Sequence, residues 1–206
     1  MRFLPLLSAH QDPAPWIPFR NLELSWEGGL HPGWVKAVRE GLGVHALHLP
    51  ARPWGESRVV EACEALRAPL GIDFLILPTG APGDRAESAH FLGALEALLE
   101  ALQGRGVKLA LRPAPGAGPA LVTLLKEMNC DAVGYCWDGG VGADLEVLSD
   151  RLFCAVGEEG HDFAGLRRLG YRWNVAVPAS SPESATCAIG RLEAAHPMIY
   201  FPEVTP

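Results

Sequence analysis

Two polar residues, Arg112 and Asp138, stand at the ends of two short apolar runs, residues 107–111 and 132–136. The runs are predicted to be buried parallel strands, because they are short, uniformly apolar and joined by an amphipathic segment. Polar groups at the carboxyl ends of such strands face the place where parallel α/β folds carry out chemistry. An arginine there can bind a carboxylate or a phosphate, and an aspartate can accept a proton.

Other polar side chains are predicted to gather at the same rim. They are Ser8, His10, Glu23, Glu27, His48, Thr79, Glu158, Glu159, His161 and Ser180. A mixed set of histidines and carboxylates is what a divalent metal site or an acid–base pair needs. His48 suits proton transfer because the unperturbed pKa of imidazole is about 6.5, although a hydrogen-bonded rim histidine is equally compatible with the sequence. For Arg112, the alternative to anion binding is an internal ion pair with Asp138, Glu158 or Glu27.

Several tryptophans also fall near predicted strand ends. They are Trp16, Trp26, Trp54 and Trp137. Aromatic rings at a barrel mouth could stack on the face of a sugar, or they could plug a mouth that binds nothing. The sequence contains no Ser-His-Asp elbow, P-loop or CxxC pair, so those chemistries have no support.

Eight predicted strands alternate with six or seven helices along the chain. The strands are residues 2–9, 21–27, 44–49, 72–77, 107–111, 132–136, 152–156 and 172–177. This rhythm predicts a compact (β/α)8 TIM barrel with minimal loops, close to the lower length limit of that fold. Three prolines within residues 10–20 rule out a regular first helix, so that helix is expected to be degenerate. An open doubly wound sheet is the competing architecture, without a GxGxxG motif to support its cofactor-binding form.

Composition sets limits on the class of protein. The 206 residues are 49% hydrophobic and 20% charged, which predicts a single domain over residues 1–206. A net charge of −7 and no basic run argue against nucleic acid or membrane as a partner. Five widely spaced cysteines and the absence of a signal-like start indicate a reducing cytoplasm. The apolar segment 198–206 could pack across the barrel bottom or pair with a partner, which makes a homodimer possible.

Five segments carry a resemblance to a known family. They are NLEL at 21–24, VHALHLPA at 44–51, VKLALRP at 107–113, VGYCWDGG at 133–140 and LRRLGYRWNVAV at 166–177. In this order they resemble the second, third, fifth and sixth strands and the last helix and strand of the xylose-isomerase-like TIM barrels. That superfamily contains sugar isomerases, epimerases and AP endonucleases. The resemblance implies a barrel whose mouth binds a small molecule, such as a sugar or a sugar phosphate.

The sequence departs from the family pattern at the residues that bind metal. The resemblance implies a metal-binding glutamate at the end of the fifth strand, where this chain has Arg112. The histidine expected after Asp138 is replaced by glycines, and that near the seventh strand by Gly157-Glu158-Glu159. The glutamate expected at the last strand is replaced by Val177-Pro178. No cofactor is therefore expected; a divalent metal such as Mn or Mg is possible but disfavoured.

The resemblance and the residues together predict an isomerase- or epimerase-like protein. Asp138, Glu158 and His48 are the predicted catalytic acid–base groups. The predicted substrate-binding residues are Arg112, Glu23, Glu27, Trp137 and His10. The alternative is a catalytically inactive TIM barrel that acts as a binding or structural subunit, which an arginine in the metal pocket favours.

Overall fold

Eight parallel strands close into a barrel in which each strand lies beside its neighbours in sequence and β8 pairs with β1. The computed structural model describes residues 1–50, 69–79, 85–128, 130–139 and 143–197. The strands are β1 (Arg2–Ser8), β2 (Asn21–Ser25), β3 (Gly43–His48), β4 (Phe74–Thr79), β5 (Lys108–Pro113), β6 (Val133–Asp138), β7 (Leu152–Val156) and β8 (Asn174–Pro178). The predicted TIM barrel is confirmed, and the open doubly wound alternative is wrong because the sheet has no free edge.

Helices cover the outside of the barrel. In the described ranges they are α1 (Gly33–Arg39), α2 (Arg85–Leu102), α3 (Gly118–Met128), α4 (Phe163–Arg168) and α5 (Pro182–Ala195), with 3-10 helices at Ala14–Phe19 and Ala143–Arg151. The first 3-10 helix replaces the degenerate first helix and contains Pro18. The second lies where a short helix over residues 143–150 was predicted; it is a 3-10 helix that kinks at Leu148. The helix predicted after Ser57, the cap at Asp84 and the tail 198–206 lie outside the described residues.

Side-chain caps fix where the last two helices begin after their strands. The Asp162 carboxylate accepts a hydrogen bond from the Gly165 N–H at 2.7 Å, at the start of α4. The Ser181 hydroxyl accepts from the Ser184 N–H at 3.2 Å, in a capping box at the start of α5. Both caps agree with the sequence prediction, and each satisfies an N–H that the helix leaves unpaired.

The core has an outer and an inner part, because successive residues of a strand point to opposite sides of the sheet. The outer part fills the space between strands and helices with leucines and large aromatic side chains. The inner part fills the barrel interior. Its buried apolar residues are Leu6, Ala46, Ile76, Ala110, Cys136, Cys154, Val156 and Ala176. A residue two positions after any of these on the same strand also faces the interior. This alternation decides which polar side chains reach the mouth.

None of the helices in the described ranges combines the length and the apolar character needed to cross a membrane. Of the cysteines within those ranges, Cys136 and Cys154 are buried, Cys130 is partly buried and Cys187 is exposed, and all four are free thiols.

Candidate functional site

Strand alternation brings three predicted site residues to the carboxyl end of the barrel interior. Arg112 lies two positions after Ala110 on β5, and Asp138 lies two positions after Cys136 on β6. His48 is the last residue of β3 and lies two positions after the inward-facing Ala46. These strands therefore direct their last inward side chains at the same mouth.

Arg112 and Asp138 form an ion pair at this mouth. The Arg112 Nε–H donates to Asp138 Oδ2 at 2.8 Å. Their side chains are 31% and 27% exposed, so both can be reached from solvent. The bond uses one of the five N–H donors of the guanidinium and one of the two carboxylate oxygens. The ion pair that the sequence analysis considered is thus present, with Asp138 as the partner.

Glu23 and His48 form a second, deeper pair. Glu23 Oε2 and His48 Nε2 are 2.7 Å apart, and the residues are only 2% and 5% exposed. When Glu23 is ionised, the Nε2–H of His48 is the donor in this bond, and Nδ1 is the ring nitrogen that the bond does not use. That Nδ1 is buried and has no hydrogen-bond partner. Buried polar atoms of native proteins nearly always have a partner, so this nitrogen, for which the described residues supply none, is an exception among them.

Buried thiols lie among these charges. The pKa of Cys136 is raised well above its ordinary value by burial and by the negative charge of Glu23, while Arg112 lowers it and Asp138 raises it. Burial raises the pKa of Cys154 as well, followed by the effect of Glu23. Both thiols are therefore protonated at neutral pH, and neither is activated as a nucleophile.

A cavity of about 440 Å³ lies beside Asp138. Its wall is formed by the loop from Pro113 to Pro119, together with Tyr135, Leu145 and Asp138. Burial raises the pKa of Tyr135 to about 12, with smaller contributions from Cys136 and Asp138. The phenol is consequently neutral, and among the described residues of the cavity wall the charged group is the Asp138 carboxylate. The volume is within the usual range for small-molecule pockets.

Four other predicted residues lie apart from this arrangement. Glu27 and His10 are exposed, and the His10 ring packs on the loop after β2, against Gly29. Glu158 is exposed in the turn after β7. Trp137 is fully buried in the outer part of the core, in ring contact with Phe163. It precedes Asp138 on the same strand, so the two side chains must point to opposite sides of the sheet.

His161 was predicted only as one of many rim residues, without a role. In the structure it lies beside Asp138's neighbour Gly139, next to the mouth. Its ring packs on Gly139, the residue after Asp138; a Cβ added to Gly139 would lie 2.6 Å from His161 Nε2. Its Nδ1 accepts a hydrogen bond from the Glu158 N–H at 3.1 Å. The signal in the sequence was Gly139 itself, whose φ of 82° and close contact both require a residue without a side chain.

Comparison with known proteins was made by sequence and by structure. No protein-family model and no curated protein matches the sequence. The solved xylose isomerase domain protein from Planctomyces limnophilus is 13% identical, with a TM-score of 0.68 over 94% of each chain. The IOLI protein with a binding zinc atom is 14% identical, with a TM-score of 0.68 over 93% of this chain and 96% of that one. AP endonuclease, family 2 from Brucella melitensis is 14% identical, with a TM-score of 0.69 over 95% of this chain and 98% of that one.

The chain shares a TIM-barrel fold with these solved xylose isomerase domain, IOLI and AP endonuclease proteins. The resemblance drawn from the strand motifs is confirmed at this level. Identities of 13% and 14% carry the likeness no further than the fold, so the chemistry at the mouth depends on the residues of this chain.

Proposed function

We propose that the barrel mouth binds a small anionic, carbohydrate-like molecule and transfers a proton on it, as a sugar isomerase or epimerase does. The observation that carries the proposal is the solvent-reachable Arg112–Asp138 pair next to a cavity of about 440 Å³. It combines a cation that can hold an anion with a carboxylate that can accept a proton. A location in the reducing cytoplasm is part of the proposal, and the four free thiols support it.

Arg112 is the proposed anion-binding residue. Its Nε–H is engaged by Asp138, while a guanidinium has four further N–H donors in the same plane. A phosphate or carboxylate can approach these donors without breaking the bond to Asp138. Arg112 would thereby hold the substrate and the Asp138 carboxylate side by side, which is the positioning that proton transfer requires.

Asp138 is the proposed proton acceptor. It would take a proton from the carbon next to a carbonyl group; the C–H electron pair would form a C=C bond and the C=O π pair would move to the oxygen, which gives an enediolate. Return of the proton to the neighbouring carbon gives the isomer, and return to the opposite face of the same carbon gives the epimer. His48, oriented by Glu23, is the proposed second acid–base group through its unpartnered Nδ1. Glu158 remains a predicted acid–base group and Glu27, Trp137 and His10 predicted binding residues, although this scheme does not need them.

We further propose that a divalent cation of the kind implied by the resemblance does not fit this mouth. Arg112 stands where a ligand carboxylate is expected, and a positive charge at about 4 Å from a cation repels it by about 4 kcal/mol per unit charge at an intermediate dielectric. Asp138 and Glu23 each already accept a hydrogen bond from a neighbouring side chain. In the part of the chain that the structure describes, no three His, Cys, Asp or Glu residues are grouped for a metal ion.

The proposal is tested by binding and by proton exchange. Isothermal titration with a panel of aldose and ketose phosphates, each beside its unphosphorylated sugar, should give binding of the phosphates that Arg112→Gln weakens by about tenfold or more. In D₂O, the bound substrate should exchange the proton next to its carbonyl, and Asp138→Asn should abolish the exchange. Glu127→Gln, an exposed carboxylate of α3, is the matched control and should change neither.

The outcomes separate the two candidate functions. Binding that depends on Arg112 without proton exchange for any member of the panel would favour the alternative, a catalytically inactive barrel that acts as a binding subunit. The Arg112–Asp138 ion pair favours that alternative to the extent that it neutralises both groups. Absence of binding to every phosphate would contradict the proposed enzyme and would favour the other form of the alternative, an inactive barrel that acts as a structural subunit.

A further inference from the structure

A second and larger cavity, of about 560 Å³, lies at the opposite end of the barrel. Its walls include the first residues of four strands, Phe74 of β4, Lys108 of β5, Leu152 of β7 and Asn174 of β8. It also includes Trp173, which precedes β8 and is 68% exposed. TIM-barrel enzymes use the carboxyl ends of their strands, so a cavity at the amino ends has an entrance of its own, and it meets the proposed mouth site only at Glu23, the partner of His48.

Many side chains of the barrel interior are small. Five of the eight buried apolar residues of the inner core are alanine or cysteine. The interior of a TIM barrel is ordinarily filled by layers of bulky Val, Ile and Leu side chains. Here the cavity extends inward as far as Cys154 and Glu23, which both line it. Glu23 is 2% exposed, so the cavity ends at a charged carboxylate deep in the barrel.

The walls of the cavity are aromatic. Phe74 and Phe153 are in contact, with ring centroids 5.8 Å apart, and Tyr171 and Trp173 complete the aromatic set. The Tyr171 hydroxyl donates to the Asn174 carbonyl, which leaves its ring as a nonpolar wall. A large exposed tryptophan beside such a cavity is a surface on which a flat molecule can stack.

Charge around the cavity selects for a cation. Among the described residues of its lining, the carboxylates of Asp73, Asp150 and Glu23 outnumber the cationic groups, which are the Lys108 ammonium and, when it is protonated, the His45 imidazole. The Lys108 Nζ lies 4.8 Å from the centroid of the Phe153 ring. This contact demonstrates that an aromatic face of the cavity wall accepts a positive charge. An anion entering the cavity would meet three carboxylates.

We propose that this cavity is a binding site for a flat aromatic molecule that carries a positively charged amine. The aromatic part stacks on Trp173 and the phenylalanines, and the amine is held by the carboxylates of the lining. A volume of 560 Å³ is within the range of small-molecule sites and accommodates a ring system with a short side chain.

Isothermal titration with three molecules of the same shape tests the proposal. Tryptamine carries an ammonium group, indole-3-acetamide is neutral and indole-3-acetate is an anion. Tryptamine should bind most tightly, by about fivefold or more over the amide, and the acetate should bind most weakly. Trp173→Ala should weaken tryptamine binding by about fivefold or more. Asp150→Asn should reduce the preference for tryptamine over the amide.

Exposed residues elsewhere supply matched controls. Ile17→Ala removes another large exposed apolar side chain, and Glu193→Gln removes an exposed carboxylate of α5; neither should change tryptamine binding. Arg112→Gln should also leave it unchanged, because Arg112 lies at the mouth. The proposal is overturned if none of the three molecules binds, if the acetate binds as tightly as tryptamine, or if binding survives Trp173→Ala but is lost in Arg112→Gln. The last result would place the tryptamine site at the mouth. It would not change the interpretation of the sugar-phosphate titrations.

Discussion

Removing the partners of the buried Glu23–His48 pair one at a time, and then together, should give strongly non-additive effects on stability. Glu23→Leu leaves the His48 ring with two unpaired nitrogens in a buried site, because Nδ1 already lacks a partner. His48→Leu leaves a carboxylate that is 2% exposed without its donor. Removal of one partner of a buried pair costs about 3–5 kcal/mol when the remaining group is charged, and about 1–3 kcal/mol when it is neutral.

The double variant Glu23→Leu/His48→Leu removes both polar groups and should be close to neutral, since apolar replacement of a whole buried pair often is. We therefore expect Glu23→Leu to lose about 1–3 kcal/mol of unfolding free energy, His48→Leu to lose about 3–5 kcal/mol, and the double variant to lose less than either. Urea denaturation at pH 7, followed by circular dichroism, measures these values. Glu27→Leu, an exposed carboxylate two residues beyond β2, is the control and should change stability by less than about 0.5 kcal/mol. Losses that add up in the double variant would refute the buried pair.

Three further predictions concern the surroundings of the site. Gly139→Ala should destabilise the protein more than Gly160→Ala in urea denaturation: both glycines have positive φ, but only at Gly139 does the added methyl meet an imidazole ring. Between pH 10 and pH 12 the native state keeps the Tyr135 proton, because its pKa is raised to about 12, whereas the unfolded chain loses it at the ordinary pKa of 10. The free energy of unfolding should therefore fall as pH rises, by up to about 3 kcal/mol more than in Tyr135→Phe. A thiol reagent should label the exposed Cys187 of the native protein at pH 8 and label Cys136 only after unfolding, as read by peptide mass spectrometry; equal labelling rates would contradict its burial.

Much of the architecture follows from local patterns in the sequence. Short apolar runs at regular intervals predicted all eight strands, since buried parallel strands need apolar side chains on both faces. The pairing of Arg112 with Asp138 was among the predicted options because β5 and β6 are neighbours, and their last inward residues must then lie close together. Alternation along β6 would also have excluded Trp137 from the mouth, since its neighbour Asp138 occupies the inward position.

Contacts that depend on register could not be predicted in the same way. Glu23 and His48 lie 25 residues apart, and their contact requires the pairing of β2 with β3, which includes an irregularity between Leu22 and Leu24. The cavity at the amino ends is lined by residues of β2, β3, β4, β5, β7 and β8, which are far apart in the sequence. No single segment of the sequence contains that information.

The mouth presents an arginine paired with an aspartate. We propose that it receives an anion at the place where the family resemblance implies a cation. The Nε–H signal of Arg112 in a nitrogen–proton NMR spectrum, assigned by its loss in Arg112→Lys, tests this directly. We predict that the signal is present at neutral pH because Asp138 protects the Nε–H, that it shifts when a sugar phosphate is added, and that stoichiometric Mn²⁺ leaves it sharp. Broadening of this signal by stoichiometric Mn²⁺, together with no response to any sugar phosphate, would contradict the claim.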